Sequence, residues 1–117
     1  MKDNIIMRKS FAFSVRIVNL SKYLTDKQEY VISKQVYKSG TSIGANISEA
    51  QRAQSTADFV SKMKIALKEA NETQYWLQLL HETKYITDNE FISIHDDLVE
   101  ILKILIAICK HYPQSNQ

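Results

Sequence analysis

The sequence predicts an all-α protein, folded as an antiparallel up-and-down four-helix bundle. Three observations carry that prediction. The 117 residues include only two glycines and one proline, too few for the turns of a β fold and suited to long helices with short connections. Apolar residues recur at helical spacing along successive segments. Between the segments stand helix-start signals: Thr25 with Gln28, Ser55 with Asp58, and Thr87 with Glu90. The length fits one domain over residues 1–112, with residues 113–117 expected to be a disordered tail beyond Pro113.

The first helix is expected from near Asn4 to about Leu24. Phe13, Ile17, Leu20 and Leu24 form its stripe, widened by Phe11, Val15 and Val18. A turn at Thr25 to Lys27 leads into a second helix, capped by Thr25 and Gln28 and running to about Ala53. Its inward seam reads Ile32, Val36, Gly40, Ile43, Ile47 and Ala50. Ser55 caps a third helix, Thr56 to Thr83, with the seam Phe59, Met63, Ala66, Ala70, Thr73, Leu77 and Leu80. Thr87 and Glu90 open the fourth, which runs to about Tyr112 with the stripe Phe91, Ile94, Leu98, Ile101, Leu105 and Ile108.

Both glycines, Gly40 and Gly44, fall in the second helix among Ser39, Thr41 and Ser42. A glycine inside a helix costs about 1 kcal/mol relative to alanine, so two of them imply a close helix contact. A phosphate-binding loop is the rival reading of SGTSIG, but the lysine and hydroxyl that such a loop needs do not follow the glycines. Folding the second helix onto the third about Gln54 and Ser55 places Gly40 opposite Glu69 and Ala70, and Ile43 opposite Ala66. Small residues then face small ones, and a buried contact is expected between Glu69 and the hydroxyls around Gly40.

The net charge of +2 is unevenly spread. Residues 1–64 hold eleven Lys/Arg against five Asp/Glu, a balance of +6, and residues 65–117 hold four against eight, a balance of −4. Such asymmetry suits an anion-binding end or surfaces that meet in an assembly. On the fourth helix Leu102, Ile104, Ile106 and Cys109 carry apolar character beyond the core stripe, which marks a candidate oligomer interface. The single cysteine excludes an internal disulfide and reads as a buried, inert thiol.

No catalytic or metal-binding constellation emerges. A di-iron bundle needs Glu-x-x-His, whereas His81, His95 and His111 are preceded at that spacing by Gln78, Ile92 and Ile108. Ser61 to Lys64 matches Ser-x-x-Lys without its companion motifs. No cofactor, metal or small-molecule substrate is expected. No stretch is long and apolar enough for a membrane span, and Met1 to Arg8 lacks a leader pattern, so a cytoplasmic location is expected.

Residues Phe13 to Leu80 closely resemble the bacterial four-helix-bundle proteins called 23S rRNA-intervening sequence proteins. The hallmark is SGTSIGANISEAQRAQSTADFVSKMKIALKEANETQYWLQLL, Ser39 to Leu80. The chain is also similar to the accessory variability determinant of diversity-generating retroelements. The resemblance implies a ring-like homopentamer that associates with structured RNA or with a nucleic-acid-handling partner. The leading expectation is therefore a non-enzymatic homo-oligomer contacting RNA or DNA through Arg8, Lys9, Arg16, Lys22, Lys34, Lys38 and Arg52. The alternative is a protein-binding adaptor or scaffold with no nucleic-acid contact.

Overall fold

The structure, a computed structural model, describes residues 4–112. The expected tail at 113–117 lies outside the described residues. Four helices follow one another: α1 (Ile5–Asp26), α2 (Val31–Ala50), α3 (Thr56–Glu82) and α4 (Asp88–His111). Each packs on its sequence neighbour, α4 closes back on α1, and the backbones of the diagonal pairs do not approach closely. The bundle is thus a four-cornered ring in chain order, with its most extensive seam between α2 and α3 and its thinnest between α1 and α4.

The core is the predicted one in outline. Phe13, Ile17 and Leu24 of α1 meet Val36, Ile43 and Ile47 of α2, Met63, Ala66, Leu77 and Leu80 of α3, and Ile94, Leu98, Ile101 and Leu105 of α4. Several flanking positions differ. Phe11 and Val15 do not widen the α1 stripe but face outward, Phe11 at 72% exposure. On α2 the buried residue of the first turn is Ser33, and Ile32 is only half-buried. Phe59 and Phe91 likewise pack at the edges of the core.

The helix ends separate local signals that hold from one that fails. Asn4 caps α1, its side chain accepting from the Met7 amide at 3.3 Å. Thr87 and Glu90 form the full reciprocal capping box of α4, at 3.1 and 2.8 Å. Ser55 caps α3 by accepting from the Asp58 amide at 3.0 Å, while the Asp58 carboxylate reaches back one residue further, to the Gln54 amide. The Thr25–Gln28 box does not form, because α1 continues through both Thr25 and Asp26. Glu29 takes over instead: its buried carboxylate accepts from the Ser33 amide at 2.8 Å.

Two turns share one design. Gln28 and Lys84 adopt left-handed backbone, with φ of 64° and 69°. Each sits just past a helix end, flanked by paired bonds that satisfy the last carbonyls. Glu29 and Gln28 donate to Leu24 and Thr25 after α1, and Tyr85 and Lys84 donate to Leu80 and His81 after α3.

The glycines face a different helix from the one expected. A Cβ on Gly40 would lie 2.7–2.9 Å from three atoms of Ile17, and one on Gly44 would lie 3.0 Å from Ser14 Oγ and 3.3 Å from the Ser10 carbonyl. Both residues thus turn toward α1, which approaches α2 along Ser10, Ser14, Ile17 and Ser21. The seam continues at Ser33, whose hydroxyl lies 2.8 Å from that of Ser21. The register between α2 and α3 is close to the folded-back prediction, as Glu49–Lys62 (3.0 Å) and Ser39–Thr73 (3.0 Å) record. The residue that meets the hydroxyls of this region is Thr73, not Glu69. Among the described residues no hydrogen bond joins the Glu69 carboxylate to Ser39, Thr41 or Ser42. Thr41 and Ser42 bond instead to carbonyls one turn back on their own helix, Tyr37 and Lys38, each at 2.7 Å.

Candidate nucleic-acid interface

The basic residues separate into two sets according to which helix lies beside them. Lys9 and Arg16 stand on the α4 side of α1. Lys9 pairs with Glu100 at 3.0 Å. Arg16 spans a whole acceptor set on α4, with Asp97 at 2.7 Å, the Ser93 carbonyl at 3.1 Å and the Ser93 hydroxyl at 2.9 Å. These two cations therefore serve the thin α1–α4 seam. Lys22, Lys34, Lys38 and Arg52 are exposed and make no ion pair among the described residues. Arg8 is exposed on α1.

Helical spacing sorts the second set further. Tyr30, the N-cap of α2, and Lys34, Tyr37 and Thr41 within it recur at steps of four, three and four, which puts them on one side of that helix. Val18, Lys22 and Thr25 do the same on α1. The two faces adjoin across a cleft of about 360 Å³ lined by Val18, Ser21, Lys22, Thr25, Asp26 and Tyr37. At the same end of the bundle the Lys27 ammonium sits 5.5 Å from the centre of the Tyr23 ring. Tyr30 and Tyr37 thus alternate with Lys34 on the α2 side, whereas Tyr23 lies toward α4, in a groove it lines with Arg16, Leu20, Ile86 and Ser93. Tyr30, Tyr37 and Lys27 were absent from the set read from sequence. The four-three spacing of Tyr30, Lys34 and Tyr37 was the available signal, overshadowed by the apolar seam on the same helix.

The proposed oligomer residues are unequally placed. Leu102 is 7% exposed and belongs to the core of its own bundle, so the apolar excess of α4 is smaller than its sequence suggests. Ile104 and Cys109 are half-buried against that core, and Ile106 is 44% exposed. Burial pushes the Cys109 thiol above its usual pKa, with Lys64 partly opposing. A raised pKa leaves less thiolate at neutral pH and suits an unreactive side chain.

The polar clusters of α3 and α4 are used internally. His81 and His95 both stack on Phe91, at centroid distances of 4.4 and 4.8 Å. His81 also meets Asp88 at 2.7 Å and His95 meets Gln74 at 2.9 Å. Glu72 accepts from the Trp76 indole at 3.2 Å. His95 and Asp97 therefore point to different neighbours and do not converge. Among the described residues no group of three or more His, Cys, Asp or Glu is placed to hold a metal ion, and no helix is long and apolar enough to cross a membrane.

The family model of the 23S rRNA-intervening sequence protein matches residues 2–107. No curated protein matches the chain. Among solved structures, a protein of unknown function from the S23 ribosomal protein family of Bacteroides thetaiotaomicron is 58% identical. The match covers 90% of this chain and 98% of that one, with a TM-score of 0.88. The chain belongs to the 23S rRNA-intervening sequence protein family.

Proposed function

We propose that this protein is a non-enzymatic homo-oligomer, a pentamer in the form the resemblance implies, that contacts structured RNA or DNA through the α1–α2 side of its bundle. The observation that carries the reading is the division of its cations. Lys9 and Arg16 are consumed by α4, while Lys22, Lys34, Lys38 and Arg52 stay exposed, the lysines near Tyr37 and Arg52 beyond the opposite end of α2. Membership of the 23S rRNA-intervening sequence protein family supports the same direction. Contacts of this kind address phosphates rather than base edges and weaken steeply with salt. A filter-binding titration against structured RNA at two salt concentrations tests it: tight binding at low salt and a marked loss at high salt are expected. Absence of binding at low salt removes the reading.

Self-association is supported by apolar side chains that the bundle leaves outside, Phe11 and Val15 on α1 with Ile92 and Ile106 on α4. Light scattering should return a mass several times that of the 13.5 kDa chain. A clean monomer mass overturns this part. The same apolar residues favour a second reading, an adaptor that docks another protein. A pulldown that survives nuclease, joined to failure of the titration, would select it.

A further inference from the structure

The α1–α2 cleft is shaped for more than phosphate. We propose that it is a base-stacking subsite for single-stranded nucleic acid, in which one unpaired base lies on the Tyr37 ring while its flanking phosphates meet Lys22 and Lys34. The proposal rests on the nucleic-acid reading above and names which form of nucleic acid the surface takes.

Tyr37 is 47% exposed, and its ring forms one wall of the cleft rather than part of the core. Its phenol makes no hydrogen bond among the described residues, so the ring is held by packing alone. Val18 supplies an apolar surface across from it. Around them stand the hydroxyls of Ser21 and Thr25, already turned toward Ser33, and the carboxylate of Asp26. A carboxylate can accept from the exocyclic amine of a base but repels a phosphate. Phosphates are therefore kept at the rim, where Lys22 lies on α1 and Lys34 one turn from Tyr37 on α2.

Tyr30 extends the platform. It precedes Tyr37 by seven residues, about 10 Å along the helix axis, and is 59% exposed on the same face. Two outward tyrosines with lysines between and beside them form the combination that binds single strands, since every base has a face to stack. A duplex keeps its bases paired and cannot place one on Tyr37.

The test uses the full chain and two fluorescent RNAs of equal length, one adenine-rich and unpaired, the other a hairpin stem. The unpaired RNA should bind more tightly. Tyr37→Ala and Tyr37→Leu should each weaken it about tenfold, while Tyr37→Phe keeps wild-type affinity. The leucine variant retains apolar bulk, so its loss reports the aromatic face rather than folding. Tyr37→Ala should leave the salt slope unchanged, whereas Lys22→Ala should lower it by about one. If the wild type binds RNA but Tyr37→Leu stays within about twofold of it, or stem and single strand bind alike, the subsite is overturned and the phosphate-contacting surface still stands. If the wild type binds neither RNA at low salt, both readings fall together.

Discussion

Gly40 and Ile17 share a space with room for only one side chain: a Cβ at position 40 would stand 2.7 Å from Ile17 Cγ1. Ile17 is fully buried and cannot swing into solvent. Gly40→Ala should therefore lower stability by about 1–2 kcal/mol, the overpacking outweighing the better helix propensity of alanine. In an Ile17→Ala background the same change should stabilise instead, by up to about 1 kcal/mol. Gly44→Ala should be milder, because the Ser14 hydroxyl can rotate away and only the Ser10 carbonyl at 3.3 Å must give by a few tenths of an ångström. Urea denaturation of the four variants measures all three, and an equal cost for Gly40→Ala in both backgrounds would contradict the contact.

The Ser39–Thr73 bond is the buried polar link between α2 and α3. Thr73→Val strands the Ser39 hydroxyl in the core and should cost about 1–3 kcal/mol. Adding Ser39→Ala should recover part of that loss, since removing both partners leaves nothing unsatisfied. Glu69→Gln should be nearly silent. A large effect of Glu69→Gln on the denaturation midpoint would restore the carboxylate to the role that Thr73 holds.

Arg16 and Lys9 both bridge to α4, but Arg16 engages three acceptors and Lys9 one. Arg16→Ala should cost about 1 kcal/mol or more, and Lys9→Ala only a few tenths, as for exposed ion pairs in general. Arg16→Lys should not restore the loss, because a single ammonium cannot reproduce the guanidinium fork. Equal melting temperatures for Arg16→Lys and the wild type would refute this account.

Gln28 and Lys84 occupy backbone that glycine adopts without penalty. Gln28→Gly and Lys84→Gly should each stabilise by a few tenths to about 1 kcal/mol, and their effects should add, since the two turns share no partner. Thermal melts of the single and double variants are sufficient to show it.

Lys62 is held above the ordinary lysine pKa, first by its hydrogen bond to Glu49 and then by the charge of that carboxylate. Its folded pKa exceeds the unfolded one, so the Glu49 contact helps fully below the unfolded value and is lost as pH rises through the folded value. Melting temperature should fall, as pH rises past the ordinary lysine pKa of about 10, by more in the wild type than in Lys62→Met. Identical alkaline profiles would rule the pair out as a contributor.

The helices were legible because their signals are short-range. Thr87 and Glu90 lie within one turn of each other, and so do Ile43 and Ile47; no knowledge of the rest of the chain is needed to interpret them. What failed required a rotation or an end point set by tertiary packing. Gly40 was matched to α3 because only the α2–α3 hairpin was folded back, whereas the α1–α2 hairpin places Ile17 against it. Thr25 has the right neighbour for a cap, but α1 is carried two residues beyond Leu24 and ends on the left-handed Gln28. Leu102 lies on the border between core and surface, where an error of about 20° in helix orientation changes its meaning. On the candidate interface, lysine positions were plain, but nothing local distinguishes Arg16, facing Asp97, from Lys22, facing water.

The ring-like order of the helices has a kinetic consequence. Three of the four seams join segments adjacent in the chain, so most of the bundle forms by closing short loops. The α1–α4 seam alone brings distant segments together, and it does so with the fewest contacts and with partly exposed ion pairs. Closing it therefore costs the most chain entropy for the least return, which makes it the last seam to zip and the cheapest to part. Amide protons along Arg16 and Ser93 should exchange through this local opening while those of Ile43 and Ala66 wait for the whole bundle to unfold.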